Sequence, residues 1–87
     1  MSRSEEERFA DIRSAIRRCN DYAPFLRSDD LASMAYDALL RNLAVIGEAV
    51  RALPSETRES MPEVTWAAIA GLRNVVVHEY FRVNPDL

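Results

Sequence analysis

The stretch LASMAYDALLRNLAVIGEAVRAL, residues 31–53, carries apolar side chains at Leu31, Met34, Ala35, Ala38, Leu39, Leu43, Ile46, Ala49, Val50 and Leu53. Steps of three and four keep these on one stripe of a helix, where a strand would alternate every second residue. Ser28-Asp29-Asp30 stands just before the stretch as a start signal, with acids near the positive helix end. Pro54 closes it. This is the longest and most apolar segment of the chain, and it predicts the central helix of an all-α fold.

Upstream, Ser4-Glu5-Glu6-Glu7 forms a capping box, a serine followed three residues later by glutamate. Phe9, Ile12, Ile16, Cys19, Ala23 and Leu26 then make a second helical stripe, with Pro24 placing the helix end near Tyr22. Downstream, Ser55 to Ser60 reads as a short polar helix, broken at Met61-Pro62. Thr65 is a candidate cap for a third long helix from Trp66 through about Tyr80. Gly47 and Gly71 fall inside predicted helices, each at a cost of about 1 kcal/mol against alanine. Close helix crossings at both are the expectation. Asn84-Pro85-Asp86-Leu87 reads as one more helix start at the chain's end, which suggests a shortened bundle.

The 87 residues suit one small helical domain, residues 1–87, with no repeat or linker. A single cysteine, Cys19, excludes an internal disulfide and a cysteine-based zinc cluster. That points to a reducing compartment, the cytoplasm, and no secretory signal or membrane span is legible. The net charge of -3 argues against a general nucleic-acid-coating protein but leaves room for a local basic cleft. All 11 basic residues are arginine, so no single arginine can be read as chosen over lysine for its forked geometry.

Chemistry concentrates in GLRNVVVHEYF, residues 71–81, which holds the only histidine. On a regular helix Asn74 and His78 share a face, Arg73 and Tyr80 lie about 20° apart, and Arg73 and His78 diverge by about 140°. Arg73 and His78 therefore meet only if the helix distorts, if the arginine wraps round, or if one of them comes from another chain. Val75, Val76 and Val77 cannot all face one core, which predicts a helix buried on more than one side. The plainest alternative is structural: His78 a satisfied helix-end histidine, Asn74 its hydrogen-bond partner, Arg73 a surface charge. One histidine without flanking carboxylates is a poor zinc set. No nucleophile-elbow pattern supports a serine-histidine pair.

The arrangement Arg-Asn-x-x-x-His-x-Tyr resembles the R-x4-H-x-Y signature of HepT toxins, a branch of the HEPN superfamily of helical ribonucleases. The resemblance runs from Tyr36 to Phe81, through IGEA, the Leu-Pro break, the Pro-x-x-x-Trp entry and GLRN. It implies an antiparallel HEPN-type bundle, C-terminally shortened here, that pairs two-fold so that both signatures line one RNA-cutting cleft. By matching positions, Arg73 and His78 would be catalytic and Asn74 supporting. Tyr80 would be the tyrosine that a cognate nucleotidyltransferase antitoxin modifies with AMP. No metal or other cofactor is implied.

General chemistry is consistent with that picture. Attack by a 2′-hydroxyl needs a base for its proton, an acid for the leaving oxygen and a cation for the phosphorane-like transition state. Histidine as a residue type suits both proton transfers. One histidine per chain cannot obviously do both at once, whereas a two-fold dimer supplies two. A rival of another class is a non-catalytic HEPN module that binds a nucleotide or protein partner. Glu48 is open between anchoring an arginine and facing solvent, and Trp66 and Phe81 read as core or interface anchors.

Overall fold

The computed structural model describes residues 4–83, with side chains described through residue 78. Five α-helices follow in order: α1 (Glu5–Tyr22), α2 (Ala32–Ala52), α3 (Ser55–Glu59), α4 (Trp66–Ala70) and α5 (Leu72–Val83), with a 3-10 helix (Ala23–Arg27) between α1 and α2. Among the described residues there is no strand. The fold is all-α, as the periodicity predicts.

The capping box forms as read. Ser4 Oγ accepts from the Glu7 amide at 3.2 Å, and the Ser4 amide donates to the Glu7 carboxylate at 3.0 Å. α1 ends at Tyr22, where Pro24 enters the 3-10 turn. Ser28 Oγ accepts from the Leu31 amide at 3.3 Å, and the Ser28 carbonyl accepts from Ala32, so this residue closes the turn from which α2 departs.

α1 and α2 make an antiparallel hairpin. Tyr22 lies beside Leu31 to Ala38, Arg18 beside Arg41 to Val45, and Ala15 in the cluster with Leu43, Ile46 and Val50. The α1 stripe is rotated from the expected one. Ala15 is fully buried and Ile12 and Cys19 pack on the core, while Ile16 stays 46% exposed. An alanine at the centre of the crossing lets α1 approach α2 closely, which turns the larger Ile16 outward. Partial burial raises the Cys19 thiol pKa by desolvation. On α2 the buried line runs through Ala35, Leu39, Asn42, Ile46, Ala49 and Leu53, flanked by Leu43 and Val50, whereas Leu31 and Met34 are exposed.

The third long helix is not continuous. Gly71 adopts φ -91° and ψ 0°, and its amide bonds back to the carbonyls of both Ala67 and Ala68. Its own carbonyl then accepts from Asn74 and Val75 and starts α5 afresh. Glycine's poor helix propensity permits that break, so Gly71 is a junction between helices and not a crossing point. Thr65 precedes α4 without a side-chain cap; only its carbonyl serves, accepting from Ile69. Gly47 does match its expectation. A Cβ built there would sit 3.4 Å from the Ala70 carbonyl oxygen, so α4 crosses α2 at this glycine.

α3 is tied at two points. Thr57 Oγ1 donates to the Glu5 carboxylate at the start of α1, and Trp66 Nε1 donates to the Arg58 carbonyl at 3.0 Å. Trp66, Ile69, Ala70 and Val76 close over the cluster of Ala15, Leu43, Ile46 and Val50. The core is thin, with Val50 its largest fully buried side chain. The accessible surface, 6355 Å², exceeds the roughly 5,200 Å² of a compact monomer of this mass. The radius of gyration, 14.4 Å, likewise exceeds a compact expectation of about 12 Å. The segment Asn84-Pro85-Asp86-Leu87 lies outside the described residues.

Candidate functional site

α5 presents the polar cluster as one uninterrupted α-helix from Leu72 to Val83. Val76 is its core contact. With successive residues about 100° apart, Asn74 and His78 each lie about 160° from Val76, on the face turned away from the core. Arg73, Asn74 and His78 are all exposed. The structure thus brings Asn74 and His78 to one outer face, as expected. It does not bring Arg73 to His78, because α5 runs straight through the motif. Five residues of helix separate them by about 7.5 Å along the axis and about 140° around it.

The purely structural alternative fares poorly at His78. No hydrogen bond or ion pair among the described residues engages the side chains of Arg73, Asn74 or His78, so Asn74 is not the histidine's partner. Nor is α5 buried on several sides. Val76 packs inward and Val77 is half-buried, but Leu72 is 37% and Val75 56% exposed. The polar cluster therefore stands beside uncovered apolar side chains. Glu48 is exposed on α2 and Trp66 is a half-buried core anchor. Tyr80 and Phe81 belong to α5, but their side chains lie outside the described residues. Among the described residues no three His, Cys, Asp or Glu side chains gather to hold a metal ion. No helix there is long and apolar enough to cross a membrane.

Two features are not foreseen from the sequence. Arg58 keeps its Nε buried with no hydrogen-bond partner. Arg18, Tyr22, Arg41 and Asn42 line a cleft between α1 and α2. Asn42 carries a legible signal, a polar residue in register with the buried line of Leu39 and Ile46. The arginines carry none, since every base in the chain is arginine.

Residues 12–87 match the family model described as Ribonuclease HepT-like. A provisionally named RNase of Caldanaerobacter subterraneus subsp. tengcongensis is 53% identical over 47 residues, which are 54% of this chain and 42% of that protein. Another from Methanocaldococcus jannaschii is 38% identical over 64 residues, 74% of this chain and 55% of its own length. A protein of Thermococcus cleftensis provisionally named ribonuclease HepT is 29% identical over 86 residues, 97% of this chain and 78% of that one. The chain spans about half the length of the first two relatives. No solved structure matches it.

Proposed function

We infer the function from one premise: this chain belongs to the HepT-like ribonuclease family. The reading it supports is an endoribonuclease that cuts RNA without a metal, at a cleft formed by two copies of the chain. The observation that carries it is the outer face of α5. There Asn74 and His78 stand exposed, with no hydrogen-bond or ion-pair partner among the described residues, and the uncovered side chain of Val75 lies about 60° round the helix from His78. A second copy packed on that face by a two-fold axis would cover Val75 and set two histidines and two arginines around one phosphate. That also answers the divergence of Arg73 from His78, since a working pair is assembled between chains.

In that cleft one His78 accepts the proton of the 2′-hydroxyl as its oxygen attacks phosphorus. The bond to the 5′-oxygen breaks, and the His78 of the second copy protonates that leaving group. The Arg73 guanidiniums stabilise charge on the phosphorane-like transition state. Asn74, one turn before His78 on the same face, orients the histidine or a phosphate oxygen. The products are a 2′,3′-cyclic phosphate and a 5′-hydroxyl, and DNA, lacking the 2′-hydroxyl, is spared.

The wider role we assign is that of a toxin, silenced when a cognate nucleotidyltransferase antitoxin transfers AMP to Tyr80, two residues beyond His78. The added nucleotide would fill the cleft and repel RNA phosphates. Cleavage of total RNA in EDTA, beside His78→Ala, tests the chemistry. The expected result is cleavage by the native chain, lost in the variant, with cyclic phosphate ends. Equal cleavage by the variant refutes the assigned mechanism. Mixing His78→Ala with Arg73→Ala protomers restores part of the activity if the site is shared. Intact mass with and without the nucleotidyltransferase should differ by AMP units, and an unchanged mass on silencing excludes Tyr80 as the switch.

A further inference from the structure

The face of the α1–α2 hairpin away from α4 carries a groove that the proposed cleavage chemistry leaves unused. Gly47 marks the side of α2 that meets Ala70. Arg41 lies about 120°, Val45 about 160° and Ala38 about 180° round the helix from it. These three, with Arg18, Tyr22 and Asn42, line a cleft of about 380 Å³. Tyr22 and Ala38 also border an apolar groove of about 210 Å³ that continues toward Phe25, Leu31 and Met34. One end of the combined groove is therefore cationic and the other aromatic and apolar.

The polar end is unspent. Arg18 and Arg41 are exposed, and no hydrogen bond or ion pair among the described residues occupies either guanidinium. This holds although Asp21 and Asp37 stand three and four residues from them on the same helices. Asn42 is only 6% exposed. Its Nδ2 donates to the Ala38 carbonyl at 2.8 Å, and its amide oxygen accepts nothing among the described residues. An amide oxygen that accepts nothing among the described residues, beside two guanidiniums likewise unengaged there, fits a ligand offering both anionic oxygens and hydrogen-bond donors. The apolar end is equally open, with Phe25 47% and Met34 69% exposed.

We propose that this groove is an anchoring site for single-stranded RNA. Arg18 and Arg41 hold backbone phosphates, Asn42 bonds to a donor on a base or to a 2′-hydroxyl, and a base stacks on Tyr22 and Phe25. Phosphates beside aromatic platforms are how single strands are gripped without strong sequence preference. The proposal rests on the ribonuclease reading for its substrate class. It adds a second point of attachment, on the opposite side of α2 from the α4 crossing, so that a strand is held several nucleotides from the cut. It also accounts for RNA binding by a chain of net charge -3, through a local pair of cations in place of a basic surface.

The test uses a short labelled 2′-O-methyl oligoribonucleotide, which lacks the attacking hydroxyl and stays whole, with binding to the full chain read by fluorescence anisotropy. Arg18→Gln with Arg41→Gln should weaken binding at least tenfold. It should also make the salt dependence shallower by about 1.4 in log-log slope, about 0.7 for each phosphate no longer neutralised. Phe25→Ala should weaken binding with no change in slope. Circular dichroism verifies that the exposed substitutions leave the helices intact, and Arg18→Lys with Arg41→Lys, which keeps the charge, should retain the slope. Binding within twofold of native at an unchanged slope overturns the proposal. So does a double variant that keeps RNA but loses a protein partner. If the native chain binds through these residues yet cuts no unmodified RNA, the anchoring site stands and the ribonuclease reading falls. If cleavage persists with binding indifferent to both arginines, the reverse holds.

Discussion

Gly47 holds α2 against the carbonyl of Ala70, and substitution there isolates the contact that places α4 and, through Gly71, α5. A methyl group at Gly47 would sit 3.4 Å from that oxygen and 3.4 Å from the Arg51 guanidinium, which can move aside. Contact is thus met but not violated, while alanine gains about 1 kcal/mol of helix propensity over glycine. Gly47→Ala should therefore be neutral to about 1 kcal/mol more stable than the native chain. Leucine directs three further carbons into the same carbonyl, and overpacking of that kind costs about 1–3 kcal/mol. The alternative to strain is displacement of α4, which would lift Ile69, Ala70 and Val76 off the cluster of Leu43, Ile46 and Val50. Either route puts Gly47→Leu about 2 kcal/mol or more below Gly47→Ala, a difference of about 8–16 °C in Tm for a domain this small. Thermal melts followed by far-ultraviolet circular dichroism, at one fixed protein concentration because association raises apparent stability, measure the gap. RNA cleavage should fall in the leucine variant although no site residue has changed. A leucine variant melting within about 2 °C of the alanine variant refutes the close crossing, and with it the account of what positions α5.

Val50→Ala removes the largest fully buried side chain and should cost about 2–3 kcal/mol in urea unfolding, since so thin a core cannot collapse around the gap. Val75→Glu puts a charge on the uncovered face of α5 and should shift sedimentation toward monomer and reduce cleavage, with little change in helix content. Trp66→Phe keeps one aromatic ring but loses the rest of the indole and its bond to the Arg58 carbonyl, at about 1 kcal/mol or more in a melt. The raised pKa of Cys19 means less thiolate at a given pH, so iodoacetamide should label the folded chain more slowly than the urea-unfolded chain at pH 8.

Much of the architecture is legible because helix periodicity and end signals are local. The box at Ser4 to Glu7, the stop before Pro24, the stripe to Leu53 and the short helix at Ser55 all depend on residues within a turn or two of one another. The failures share a different cause. Periodicity points Ile16 inward and passes over Ala15, because the period alone does not say how close two helices come. Gly71 reads equally as a crossing or a break, since glycine permits both, and only neighbouring hydrogen bonds distinguish them. The site divides in the same way. Spacing alone pairs Asn74 with His78 and Arg73 with Tyr80, whereas the roles of all four enter only through the family resemblance.

By itself the sequence determined that the chain is helical, that α2 is its centre, that one short segment gathers the titratable groups, and that they follow the pattern of a ribonuclease family. These are properties of spacing along the chain. Tertiary structure decided which face of each helix is covered. It showed Arg73 and His78 held apart by a straight α5, Leu72 and Val75 left in solvent, and Arg18, Arg41 and Asn42 joined in a cleft by residues more than twenty positions apart. Burial depends on which helices cross, at what distance and at what angle. A pattern read one helix at a time does not contain those quantities.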